Sequence, residues 1–207
     1  LYREQSLQDY LDDLASEQPA PGGGSTSALS GAMAAALASM ICRLTLGKAG
    51  YEEAQSETEK ILERTEQLRE RFTELLEEDI AAYGRLSASY KMSRATEEER
   101  TARSDEIQKH LVGAAEVPLE MVECAVRLSH FLKRIAEIGN ATLMSDLVTA
   151  VALASAGAQG ASGMVRVNLR HMRNAARAGE LESRLEAALR QIEEGGRQVA
   201  DIVGRRA

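Results

Sequence analysis

Two aspartates, a lysine and a run of glycines carry the chemistry this sequence offers. Asp79 stands four residues after Leu75, seven after Phe72 and four before Tyr83, so helical spacing places its carboxylate on an apolar stripe. A carboxylate aimed at a core is costly unless it is paired or put to use. Three readings are open: an ion pair with a neighbouring helix, a place at the stripe's edge beside Glu77 and Glu78, or a proton-transfer group. Asp146 is the only charge between Asn140 and Met164. In the first turns of a helix an acid is favoured by the dipole; the other reading is a carboxylate facing a cleft between small-residue helices. Lys48, in TLGKAGY, sits in a turn with Arg43 upstream, as a helix-end cation or as the partner of an anionic group. Gly22, Gly23 and Gly24, in PAPGGGSTS, open a helix whose first amides attract anions. No strand pattern precedes them and no GK[ST] follows, which argues against a nucleoside triphosphate loop.

Other chemistries find little support. His110, His130 and His171 lack metal-ligand spacing and no HExxH occurs, so no metal site is expected. Cys42 and Cys124 fall in apolar helical patterns without a CxxC pair, as small core residues of a reduced, cytoplasmic protein do. A net charge of -7 over 207 residues shows no concentrated basic face and argues against a nucleic-acid partner. The acidic, amphipathic LYREQSLQDYLDDLA is not a basic-then-apolar leader.

Helices must position these groups. Hydrophobic residues make up 44% of the chain and aromatics only 3%, with abundant alanine, and the length is that of one domain, residues 1–207. Six helices are expected: about Ser6 to Ser16, Ser25 to Leu46, Glu52 to Tyr90, a long one from the Thr96–Glu99 capping box to Ile138, Ala141 to Met172, and Leu181 to Val203. The fourth is expected to bend or break before Pro118. Asn140 is a candidate N-cap for the fifth. Joined by short turns, these make an all-α antiparallel bundle. The second and fifth helices, SALSGAMAAALASMI and LVTAVALASAGAQGASGMV, are small and uncharged. A membrane span needs about 20 mostly apolar residues, but Ala, Ser and Gly drive insertion weakly. Burial is the expectation instead, against each other or across a homodimer axis.

PAPGGGSTSALSGAMAAALASMICRLTLGK, then EEDIAAY, YKMSRATEEER, VPL and GNATLMSD, occur in the order found in the cyclodeaminase/cyclohydrolase family of folate enzymes, which the chain resembles from about Pro19 to Asn168. The resemblance implies an all-helical homodimer acting on one-carbon derivatives of tetrahydrofolate. It also implies catalytic roles for Asp79, Asp146 and Lys48, and ligand contacts at Gly22, Gly23, Gly24, Ser25, Asn140, Ser145 and Asn168. Ala49 stands where the family often has a second basic residue, and Gly163 where it has an earlier asparagine. Two reactions fit. In one, water adds to the cationic carbon of 5,10-methenyltetrahydrofolate and the ring opens to 10-formyltetrahydrofolate. In the other, N10 attacks a formimino carbon on N5 and ammonia leaves. Both need proton transfer beside a delocalised cation and imply no cofactor beyond the folate itself. A helical adaptor, with the small-residue helices as its seam, is the non-catalytic alternative.

Overall fold

The computed structural model describes residues 1–206, and these form six α-helices with no strand among them. They are α1 (Leu7–Leu14), α2 (Gly23–Arg43), α3 (Gln55–Tyr90), α4 (Glu97–Ile138), α5 (Met144–Leu169) and α6 (Ala175–Arg206), with short 3-10 turns at Tyr2–Glu4, Glu52–Ala54 and Ala141–Leu143.

From α2 to α6 the chain runs up and down. Gly31 lies against Phe72, and Arg43 pairs with Glu66, so α2 and α3 are antiparallel. Arg71 meets Glu120 and Glu57 meets Arg134, which reverses α4 on α3. Asn168 reaches Ala114, and Arg166 reaches Glu182 and Glu186, which places α5 antiparallel to both α4 and α6.

The small-residue helices α2 and α5 pack on each other. A Cβ on Gly157 would lie 2.7 Å from the Ser27 carbonyl, and one on Gly160 would overlap the Ser27 hydroxyl. Glycine there lets the two backbones approach, and Ser30 Oγ donates to the Leu153 carbonyl at 2.8 Å across the seam. On the other side of α2 the Phe72 ring occupies the space a side chain at Gly31 would need. Ser39 and Thr65 share a buried 2.8 Å hydrogen bond between α2 and α3. The main core is a cluster of small α2 and α5 residues filled in by Leu, Ile and Phe of the longer helices, with a smaller cluster of Leu86, Ile107, Leu111 and Ala114 between α3 and α4. By length and composition, Gly23–Arg43 and Ala141–Leu169 could each cross a membrane, and α2 is mostly buried between α3 and α5.

Boundaries follow the caps. Thr96 and Glu99 form the expected reciprocal capping box at α4. Asn140 accepts from the Thr142 amide and so caps the 3-10 turn that leads into α5. Two expectations need correction. α2 begins two residues before Ser25, because the Ser25 hydroxyl reaches back to the Gly22 N–H and closes the first turn over the glycines. α4 is a single helix that runs through Pro118. A proline removes one helical hydrogen bond, but Pro118 is buried among Ala115, Leu119 and Val122 in the core, and packing holds the helix together.

Candidate active site

The N-terminus of α2 faces a cleft of about 170 Å³, walled by Asp79, Ala82, Tyr83 and Leu86 of α3, Ala114 of α4, Met164 and Asn168 of α5, and the Pro19–Gly24 loop. Each wall has a local cause. Gly24 is fully buried against Asp79, and a Cβ there would overlap all three carboxyl atoms. Only glycine lets the first turn of α2 lie on that carboxyl. Met164 Sδ and Cε lie just under 4 Å from where a Cβ on Gly23 would stand. Ser25 accepts from the Gly22 amide at 3.1 Å, donates to the Gly22 carbonyl at 2.9 Å and meets the Tyr10 hydroxyl at 3.2 Å. Its hydroxyl is therefore spent on holding the loop and on docking α1.

Burial pushes the Asp79 carboxyl up to about 6, and a hydrogen bond from the Ser25 backbone opposes part of that rise. No cation pairs with it among the described residues. The first amides of α2 have no partner within the helix, and Gly24 lies against this carboxyl. A proton donor-acceptor poised near neutrality thus sits at a helix N-terminus beside an apolar wall.

The residues singled out in the sequence fall into two groups. Gly22, Gly23, Gly24, Asp79 and Asn168 line the cleft, with Ser25 directly behind the loop. Lys48, Asn140, Ser145 and Asp146 lie at the other end of the α2–α5 pair, roughly 30 Å away along the 21 residues of α2. There Asn140 is buried and donates to the Leu44 carbonyl, while its backbone N–H donates to Thr45 Oγ1 at 3.0 Å. Lys48 and Ser145 are exposed and Asp146 half-buried. Neither Lys48 nor Asp146 enters an ion pair among the described residues. Within one chain the two groups do not meet.

A profile of the formiminotransferase-cyclodeaminase family matches residues 6–187. The chain belongs to that family. It is 37% identical over 185 residues to the methenyltetrahydrofolate cyclohydrolase of Methylorubrum extorquens, covering 89% of each chain. It is 31% identical over 167 residues to the formimidoyltransferase-cyclodeaminase of Rattus norvegicus, a match to 81% of this chain and 31% of that longer protein. Its fold superimposes on the crystal structure of formiminotetrahydrofolate cyclodeaminase from Thermotoga maritima with a TM-score of 0.90 at 31% identity, covering 99% and 98% of the two chains.

Against this family background, Tyr83, Leu86, Met164 and Ala114 are the cleft residues that sequence reasoning did not single out. Tyr83 and Leu86 follow Asp79 on the same stripe, so helical periodicity contains the signal. Ala114 and Met164 become visible only once α4 and α5 are packed. At Gly163 a Cβ would meet nothing within 4 Å, so the position has room for a larger side chain.

Proposed function

We propose that this chain is a methenyltetrahydrofolate cyclohydrolase, hydrolysing 5,10-methenyltetrahydrofolate to 10-formyltetrahydrofolate as a soluble cytoplasmic homodimer, with no metal and no cofactor beyond the folate. The observation that carries this reading is the half-buried Asp79, without a cation at the α2 N-terminus, in a chain matching a cyclohydrolase over nearly its full length. An adaptor has no use for such a carboxyl.

The chemistry follows from Asp79. As a carboxylate it takes a proton from water as the oxygen adds to the methenyl carbon, and the cation becomes a neutral carbinol adduct. Loss of the carbinol proton drives the C–N5 bond to break, N5 is protonated, and the formyl group stays on N10. One proton is released overall. With a carboxyl near 6, proton acceptance and return are close to balanced at neutral pH. The negative charge also favours the substrate cation in a site shielded from water. The Gly23 and Gly24 amides offer donors to the oxygen as it gains charge.

Two observations support a site shared between two copies. The cleft of about 170 Å³ is below the range of roughly 300–1,000 Å³ in which ligand-sized sites fall. The faces of α2 and α5 that no helix covers expose Met33, Ala36, Val148, Ala152 and Ala156 without a charge among them. A two-fold axis perpendicular to these antiparallel helices exchanges their ends. It sets Lys48 and Asp146 of one copy beside the Asp79 cleft of the other, with Lys48 placed to meet a carboxylate of the folate tail.

The likeness to a cyclodeaminase structure favours a second reading in which ammonia leaves from a formimino adduct and Asp79 supplies its proton. Following the near-ultraviolet absorbance of 5,10-methenyltetrahydrofolate, alongside ammonia release from 5-formimidoyltetrahydrofolate, tests both. Accelerated loss of absorbance without ammonia is expected. Ammonia release alone moves the assignment to the deaminase, and neither activity removes the folate reading.

A further inference from the structure

Pro118 and Asn168 meet through one carbonyl. In an α-helix the Ala114 carbonyl accepts from the N–H of the residue four positions on, and here that residue is a proline with no N–H to give. The orphaned oxygen is taken up from another helix: Asn168 Nδ2 donates to Ala114 O at 2.8 Å and to Met164 O at 2.9 Å. Both amide hydrogens are thereby used. Turning the carboxamide over would set Oδ1 against two carbonyl oxygens, so its orientation is fixed by its neighbours. Asn168 Oδ1 receives no hydrogen bond from the described residues, and Asn168 and Ala114 both line the cleft with Asp79.

We infer that Asn168 presents a locked hydrogen-bond acceptor to an N–H group of the bound folate ring system, and that Pro118 is the positioning residue that keeps it locked. The inference rests on the folate reading. An amide free to turn offers a donor as readily as an acceptor. Clamped as it is, Asn168 selects ligands carrying an N–H donor at that point and disfavours those carrying an acceptor, because two facing acceptors repel and stay unpaired.

Pro118→Ala separates this role from a structural one, because its effect on binding should vanish when Asn168 is absent. The new N–H competes with Asn168 Nδ2 for the Ala114 carbonyl. The amide is held less firmly, so KM for 5,10-methenyltetrahydrofolate rises roughly fivefold while kcat changes less. Asn168→Ala should raise KM at least as far, and the double variant should match Asn168→Ala, since the proline acts only through the amide. Wild-type KM in Pro118→Ala, or multiplying effects in the double variant, would overturn the inference while wild-type turnover keeps the folate reading. A wild-type chain inactive on both folate substrates overturns both.

Discussion

The two ends of the α2–α5 pair are built from the same small residues and do different things with their polar groups. At the α2 N-terminus glycine lets a carboxyl touch the helix start, and Asp79 stays half-buried without a cation. At the other end the polar groups are satisfied in place or stand toward solvent. Asn140 ties α5 to Leu44 and Thr45, while Lys48 is exposed. One end is thus preorganised around an acid without a cation, and the other offers charges that no ion pair among the described residues uses. Small residues make both possible: they bring backbones close enough to set Gly24 on Asp79, and they leave an uncharged outer face on α2 and α5.

The sharpest break in that contrast is Asp79→Asn, which removes the proton acceptor while keeping the shape. A fall in kcat of roughly 10²–10³ is expected, measured by loss of methenyl absorbance, with circular dichroism confirming the fold. A kcat within a few-fold of wild type would move the chemistry to the other end of the helices and make Asp146 the base.

Next in size is the effect of Lys48→Ala, for which a loss of about tenfold is expected from removal of one charged contact. Mixing decides whether that contact crosses between copies. Asp79→Asn and Lys48→Ala chains, unfolded together and refolded in equal amounts, form heterodimers in which one cleft combines an intact Asp79 with an intact Lys48 from the other copy. About one quarter of all sites then regain wild-type geometry, and the mixture exceeds the mean of the two separate variants. A mixture equal to that mean would confine each site to one chain.

How much of this was legible beforehand differs between the two ends for the same physical reason. The six helices followed from periodicity and caps; Thr96 caps α4 as expected, while Asn140 caps the 3-10 turn ahead of α5 and not α5 itself. Asp79 was legible because a charge on an apolar stripe violates local consistency, and such violations concentrate at functional sites. Of the bend or break expected before Pro118, the break does not occur, because the proline's cost is local while the packing that overrides it is tertiary. The company Asp79 keeps was hidden: Ala114, Met164 and Asn168 are neighbours only through the approach of three helices. Family resemblance grouped Lys48 and Asp146 with Asp79, but no single-chain pattern could have said that they stand at opposite ends of α2.

The smallest expected effect tests the energetic side of the contrast, because a partly desolvated acid without a cation destabilises the fold that holds it. The Asp79 carboxyl is raised from 3.8 to about 6, so the folded chain binds its proton more tightly than the unfolded chain does. The favourable contribution of the protonated group is fully present below about 4 and is lost as pH rises through about 6. Above that the cost is constant, about 1–3 kcal/mol at full ionisation. Asp79→Asn escapes it, so its stability relative to wild type should be near zero at pH 4, grow between pH 4 and 6, and level off beyond pH 7. Urea unfolding of both chains across that range reads the difference directly. A flat difference for Asp79→Asn would mean that its carboxyl finds a compensating partner in the folded protein in solution, and the asymmetry between the two ends would then lie in placement alone.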